Sequence, residues 1–322
     1  MSADLEFDLI VTAKSLAADG IVLLRLEPAE GEPLPAWRPG AHIDLILQPE
    51  KDGHLERQYS LCGDPDDAAW QIGVLREPEG RGGSLLVHDE LAVGTRLRAR
   101  GPRNHFAFDP EASERSVFIA GGIGITPILS MISEAERVGH DWQLIYAGRS
   151  RRTMAFVDQL VETHPERVRV FAADEGNRLD LTATLAEPAP GTAVYCCGPA
   201  RLMEAVEELS RHWPHGTLHL ERFVPRHFDE PAVQESFEVE LELSGMTLTV
   251  PPDRSILDVV DEAGVLVLSS CREGTCGTCE TPVISGAVDH RDSVLTPDEQ
   301  ADNSVMMICV SRAACPRLVL EL

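Results

Sequence analysis

The sequence predicts a multi-domain chain: an antiparallel β-barrel, an α/β domain on a parallel sheet, and a small α+β domain. Three observations carry this. The amino-terminal third consists of short apolar runs broken by Pro and Gly, the pattern of a small barrel. The middle alternates strand-like and helical stretches, a βαβ rhythm that implies a parallel sheet covered on both faces. The last part opens on the alternating runs FEVELEL and MTLTV and then carries a dense cysteine cluster. The expected boundaries are 1–109, 110–224, a linker at 225–236, and 237–322.

In order, the barrel strands are expected near 5–11, 21–26, 42–47, 57–61, 71–75 and 95–100. The middle strands fall near 117–120, 142–147, 168–172, 193–196 and 217–220, with helices near 126–137, 154–163, 181–186 and 199–212. The stretch VPRHFDEPAVQES has two prolines and mixed charge and reads as a linker. In the last part a short helix is expected at 255–263, with strands at 305–310 and 318–322.

The chain has 322 residues, enough for two or three domains. Its 43% hydrophobic and 25% charged residues exclude disorder, collagen-like structure and a disulfide-dense mini-protein. Asp and Glu number 53 against 28 Lys and Arg, a formal charge of −25. Such a chain repels nucleic-acid phosphates and anionic lipid, and it suits docking on a basic partner. Residues 237–322 alone hold 15 acidic and 5 basic residues, a net −10. Asp4, Glu6 and Asp8 stand where a signal peptide needs positive charge. The uncharged run 116–133 holds Gly121, Gly122, Gly124 and Pro127, so it reads as strand, turn and helix start rather than a membrane span. The expectation is a cytoplasmic protein with neither a nucleic-acid nor a membrane partner.

Eight cysteines sit at 62, 196, 197, 271, 276, 279, 309 and 315. In a cytosolic chain such a cluster points to metal binding or catalysis rather than disulfides. Cys271, Cys276 and Cys279, followed at a distance by Cys309, have the C-x4-C-x2-C…C spacing of a plant-type [2Fe–2S] centre. Three thiolates must converge from one short loop. Gly274 and Gly277 let that backbone curl so that its amides face the sulfurs. A zinc site normally brings two CxxC pairs, and a thioredoxin-like CxxC lacks an upstream third cysteine. Cys62 and Cys315 read as ordinary thiols.

Two short motifs lie in the barrel. Arg57-Gln-Tyr59-Ser60-Leu61 offers a charge for a phosphate, a flat face for a ring and a hydroxyl, though an exposed polar strand would look the same. Gly80-Arg-Gly82-Gly83-Ser84 precedes the helical LLVHDEL, an anion-binding helix start or a plain capped helix. In the middle domain Gly121-Gly122-Ile-Gly124-Ile-Thr126-Pro127 follows a strand and opens a helix. It reads as a pyrophosphate seat or a structural turn, with Pro127 where a dinucleotide fingerprint has its third glycine. Cys197-Gly198-Pro199 ends a later strand at the sheet's carboxyl edge, a position suited to contact with a nicotinamide. No partner can be assigned to make Cys197 a nucleophile.

Taken in order, RQYSL, GRGGS, GGIGITP, CCGP and CREGTCGTC…C resemble the phthalate dioxygenase reductase family, which includes vanillate O-demethylase reductases. The resemblance covers nearly the whole chain. It implies a flavin-binding barrel, a nicotinamide-nucleotide domain and a carboxyl-terminal β-grasp, ferredoxin-like domain. It implies FMN, held by Arg57, Tyr59, Ser60 and Leu61, by the backbone of Ile72 and Val74, and by Gly82, Gly83 and Ser84 at the phosphate. It places NADH on Gly122, Gly124, Thr126 and Pro127, with its adenosine ribose near Gly148, Arg149 and Ser150. The nicotinamide falls near Cys197, Gly198 and Pro199, and Ser60, Cys197, Glu221 and Phe223 meet flavin and nicotinamide. Arginines 149, 151 and 152 also fit a 2′-phosphate, so NADPH stays open beside NADH. The cluster ligands are Cys271, Cys276, Cys279 and Cys309. The implied activity is that of a monomeric NADH-dependent reductase passing single electrons to a Rieske-type non-haem iron oxygenase. A cytochrome P450 is the alternative acceptor, and a non-enzymatic iron–sulfur sensor is the alternative class.

Overall fold

The computed structural model describes residues 5–31, 33–47, 55–226 and 235–322. The chain divides into two compact units, the first ending at Glu221 and the second beginning at Arg222. Of the expected linker, residues 227–234 lie outside the described residues.

The first unit opens with β1 (Glu6–Ala18), β2 (Ile21–Pro28), β3 (His42–Leu47), β4 (Leu55–Ser60), β5 (Trp70–Leu75), α1 (Gly83–Asp89) and β6 (Arg96–Arg103). These strands form an antiparallel sheet in the order β4-β3-β6-β1-β2-β5. A bridge between Leu61 and Ile72 joins the two ends and closes the barrel, as the alternating runs predict. Strand β1 runs seven residues past the expected end at 11, with register shifts near Val11 and Leu16 that let one long strand curve around the barrel. Every residue of β3 is buried, including Asp44. Its carboxylate is satisfied by Arg103 and by the Gln58 amide at 2.7 Å, which is what a buried charge requires.

The unit continues with β7 (Arg115–Gly121), α2 (Ile125–Val138), β8 (Asp141–Gly148), α3 (Val157–Thr163), β9 (Val168–Ala172), α4 (Leu181–Leu185), β10 (Thr192–Cys197), α5 (Ala200–Leu209) and β11 (Leu218–Glu221). All five strands are parallel, in the order β11-β10-β7-β8-β9. Helix α2 buries Ile125, Ile128, Met131, Ile132 and Ala135 at helical spacing, each large side chain contributing about 1.5–3 kcal/mol. Gly139 ends it in a left-handed conformation, φ 72°. The helix expected at 154–163 starts only at Val157, because Phe156 turns left-handed at φ 63°. Between β7 and β10 the strand order reverses, so the ends at Gly121 and Cys197 lie side by side, at the position where open α/β sheets take their ligands.

The second unit contains β12 (Phe237–Leu241), β13 (Met246–Val250), α6 (Ile256–Glu262), β14 (Glu280–Ser285), β15 (Val288–Asp289), α7 (Pro297–Asp302), β16 (Val305–Met307), β17 (Arg312–Ala313) and β18 (Arg317–Leu320). Its main sheet has the mixed order β13-β12-β18-β14-β16, with β12 and β18 parallel at the centre. Helix α6 packs Ile256, Leu257, Val259 and Val260 into the core and starts at a capping box of Ser255 and Asp258. The expected strand at 305–310 ends at Met307. Cys309 lies in the following turn, closed by Val310 N–H and Ser311 N–H on the Met307 carbonyl, so its thiol leaves the sheet ladder. Among the described residues no helix is long and apolar enough to cross a membrane.

Candidate functional site

The seam between barrel and parallel sheet is built from glycines. A Cβ on Gly124 would lie 2.3 Å from the Cys197 carbonyl oxygen, and one on Gly121 would lie 2.6 Å from Pro199 Cδ. On the barrel side, a Cβ on Gly73 would lie 2.8 Å from the Thr126 methyl. Only glycine allows these backbones to approach so closely. Gly122 opens a 3-10 turn at φ 54°, and Thr126 donates to the Ile123 carbonyl at 2.9 Å, holding the loop into α2. The buried Tyr146 hydroxyl reaches the carbonyls of Gly122 and Ala155, both at 3.1 Å. Gly73 and Tyr146 escaped the sequence reading: one is a lone glycine in a strand, the other a core tyrosine until its hydroxyl is placed.

Three expected residues meet at this seam. Ser60 donates to Glu221 Oε2 at 3.3 Å, and the Cys197 thiol lies 4.0 Å from the same oxygen. Desolvation pushes the Glu221 carboxyl up to about 8, against the lowering effect of the Ser60 hydrogen bond. Burial, then the neighbouring Glu221, holds the Cys197 thiol well above its ordinary value, so it stays protonated. Phe223 lies beyond the first unit and is 41% exposed.

The barrel motif residues take distinct places. Arg57 donates to the Arg81 carbonyl at 2.6 Å, and its stem packs where a Cβ on Gly83 would lie, 2.5 Å away. Gly82 is left-handed, φ 82°, at the start of α1, and the Ser84 hydroxyl accepts from Glu77 N–H at 3.0 Å. Burial pushes the Tyr59 hydroxyl up to about 12. Leu61, Ile72 and Val74 point into the barrel core, and the Val74 carbonyl contacts His88 Nε2 at 2.9 Å. Lys14, unremarked in the sequence, donates to the carbonyls of Val87, His88 and Leu91 at 2.8, 2.8 and 2.7 Å and so clamps the carboxyl end of α1.

After β8, a Cβ on Gly148 would lie 2.4 Å from Met154 Cγ, and the Ser150 carbonyl accepts from Thr153 Oγ1 at 2.9 Å. Arg151 pairs with Asp158 and Glu175 at 3.0 and 3.3 Å, and Arg152 pairs with Asp19 at 2.8 Å. Arg149 is exposed and forms no ion pair among the described residues. Gly198 and Pro199 lead into α5, with Pro199 as its extended cap.

In the second unit Cys271, Cys276, Cys279 and Cys309 are all buried. The loop between them is tightly curled: Arg272, Gly274 and Gly277 have φ of 56°, 69° and 74°. The amides of Glu273 and Thr275 point at Cys271 Sγ, at 3.3 and 3.4 Å. Hydrogen bonds from Cys276 and Cys309, and then those amides, hold Cys271 below the ordinary thiol range. A hydrogen bond from Cys309 does the same for Cys279. No group of three His, Cys, Asp or Glu among the described residues is gathered about a single ion. The four thiols touch in sequence instead, Cys276 with Cys271, Cys271 with Cys309 and Cys309 with Cys279, the four converging sulfurs that a [2Fe–2S] centre takes. Gly274 has no room for a side chain, since a Cβ would lie 2.6 Å from Val310 Cγ2 and 3.1 Å from Asp292 Cα.

A closed barrel sharing a glycine seam with a doubly wound sheet, in a chain that also carries this thiol cage, defines an electron-transfer oxidoreductase. Residues 239–314 match the 2Fe-2S iron-sulfur cluster binding domain, and residues 95–215 match the N-terminal domain of dimethylamine monooxygenase subunit DmmA-like proteins. The chain is 42% identical to the phenoxybenzoate dioxygenase subunit beta of Ectopseudomonas oleovorans, over 97% of this chain and 96% of that one. It superposes on the solved phthalate dioxygenase reductase with a TM-score of 0.69, at 36% identity and 98% coverage of both chains. It also superposes on part of an intact type IV self-sufficient cytochrome P450 monooxygenase, with a TM-score of 0.91 and 46% identity, covering 98% of this chain but 41% of that one. The chain belongs to the phthalate dioxygenase reductase family.

Proposed function

We propose that this chain takes hydride from NADH onto FMN in the first unit and passes single electrons through a [2Fe–2S] cluster in the second to a terminal Rieske-type oxygenase. The observation that carries the reading is the convergence of Ser60, Cys197 and Glu221 on one oxygen at the carboxyl edge of the parallel sheet, beside the barrel. A flavin held in the first unit would supply the chemistry of accepting electrons in a pair and giving them up singly.

The chain's own residues then have defined tasks. Residues 1–109 form the flavin domain, with Arg57, Tyr59, Ser60 and Leu61 along the ring and ribityl chain. Gly82, Gly83 and Ser84 take the phosphate at the start of α1, where the first turn has no side-chain cap. The backbone of Ile72 and Val74 faces the ring from β5. Residues 110–224 form the nucleotide domain. Gly122, Gly124, Thr126 and Pro127 seat the pyrophosphate, and Gly148, Arg149 and Ser150 flank the ribose. Cys197, Gly198 and Pro199 back the nicotinamide. Glu221 keeps its proton at neutral pH, so no fixed negative charge faces the transferring hydride. Two of the three local arginines are already ion-paired, which favours NADH over a 2′-phosphorylated nucleotide. Residues 237–322 hold the cluster on Cys271, Cys276, Cys279 and Cys309. The protein acts in the cytoplasm, as a monomer.

The test is anaerobic titration of the reconstituted protein with NADH, then with candidate oxygenases. Flavin bleaching followed by oxidation on adding a Rieske oxygenase is expected. Absence of a rhombic paramagnetic signal after reduction, or of acid-labile sulfide, would refute the reading. A second reading has an observation behind it. Because the chain matches part of a self-sufficient P450, a haem monooxygenase is the alternative acceptor, and including a P450 in the same titration decides between them.

A further inference from the structure

Between the end of α6 and Cys271 the chain passes through Val265, Leu266, Val267 and Leu268 outside any helix or sheet. Its ends are tied. Val265 N–H donates to the Val260 carbonyl at 3.2 Å, and Arg272 Nη2 bonds Asp261 at 2.7 Å, closing the segment into a loop beside the cysteines. Burial alternates along it: Val265 and Val267 are half-buried, Leu266 and Leu268 exposed. Val265 and Val267 pack against the core, so Leu266 and Leu268 face solvent. Leu266 is 99% exposed and Leu268 52%. Two leucines held outward on a tethered loop, three residues before a cluster ligand, contribute nothing to this unit's own core.

Their surroundings are acidic. Asp258, Asp261, Glu262 and Glu273 flank the loop against Arg254 and Arg272, within a unit of net charge −10. Resting on the electron-transfer reading above, we propose that Leu266 and Leu268 form the apolar centre of the surface on which the terminal oxygenase component docks to draw electrons from the cysteine loop. The matching face is an apolar socket rimmed by Lys and Arg. The carboxylates steer its approach and the leucines set how long it stays. A small desolvated apolar centre within a charged rim is the usual distribution of binding energy at such contacts.

The experiment uses the full-length holoprotein and the double variant Leu266→Ser/Leu268→Ser, with Leu243→Ser, a 71% exposed leucine in the β12–β13 turn, as control. Oxygenase components of the phenoxybenzoate, phthalate and vanillate systems are tested, and the one that wild type reduces fastest is titrated. The double variant should raise its half-saturating concentration about tenfold or more, with unchanged NADH–ferricyanide turnover and an unchanged salt slope. Leu243→Ser should match wild type. Half-saturation within twofold of wild type would overturn the proposal, as would a dimer in wild type that the double variant dissolves, since a second copy would then cover the leucines. If wild type reduces ferricyanide but none of the oxygenases, the electron-transfer reading to such partners falls and takes this inference with it.

Discussion

Replacing Gly124 by alanine tests the seam directly. The added methyl would sit 2.3 Å from the Cys197 carbonyl oxygen and 2.7 Å from the Gly198 amide nitrogen, both backbone atoms that cannot swing aside. Restoring ordinary contact needs the start of α2 and the end of β10 to part by about 1 Å, in an interior packed too tightly to absorb it silently. Overpacking of this kind costs about 1–3 kcal/mol, a fall in Tm of several degrees for a unit of this size. The functional effect should be larger, because a misplacement of about 1 Å at a reacting centre costs roughly 100-fold. Stopped-flow measurement of flavin bleaching by NADH reads this, alongside thermal unfolding. Gly139→Ala separates the two effects. That site is left-handed at φ 72° but has nothing within 4 Å, so alanine there should cost about 1–2 kcal/mol of stability and leave flavin reduction alone. If Gly124→Ala lowers Tm but bleaches flavin within threefold of wild type, the seam does not seat the nicotinamide.

Glu221→Gln should reveal the carboxyl's linkage to pH. Its value rises from 4.5 unfolded to about 8 folded, so the unfolded state loses its proton first and the wild-type fold loses relative stability across that window. The Tm advantage of Glu221→Gln should therefore grow from pH 5 to pH 8; a constant difference would place the carboxyl in water. Cys276→Ser should abolish the rhombic paramagnetic signal while NADH bleaches flavin at a near wild-type rate, and loss of flavin reduction in a folded variant would break the modular scheme. Lys14→Met leaves three carbonyls at the end of α1 without their donor and should cost about 1–3 kcal/mol, with weaker FMN retention on dialysis. Equal retention would mean that α1 does not hold the phosphate.

Much of the fold was legible because it is periodic. The barrel strands alternate, the parallel strands are apolar runs split by helical stretches, and the cysteine spacing is local in sequence. What escaped depends on side chains meeting across the fold. Asp44, Gln58 and Arg103 form a buried polar set that no spacing announces, and it gives Gln58 of the RQYSL motif a structural task. Lys14 reaches carbonyls more than seventy residues away. Cys309 was placed on a strand because Met306, Met307 and Ile308 continue the apolar run, but the backbone turns after Met307. Helix α7 was missed although Thr296-Pro297-Asp298-Glu299 spells its capping box, because it has no buried residue to supply an apolar stripe.

The missing side chain at Gly73 has a consequence for how this enzyme can change. With the Thr126 methyl filling that space, barrel and parallel sheet interlock at this point. Donor and acceptor rings would be registered by the masonry of the two walls rather than by a closing flap. If the loop after β8 flanks the ribose as proposed, a switch in nucleotide preference would be made there, where Arg149 stands in solvent, and would leave the Gly73–Thr126 contact untouched.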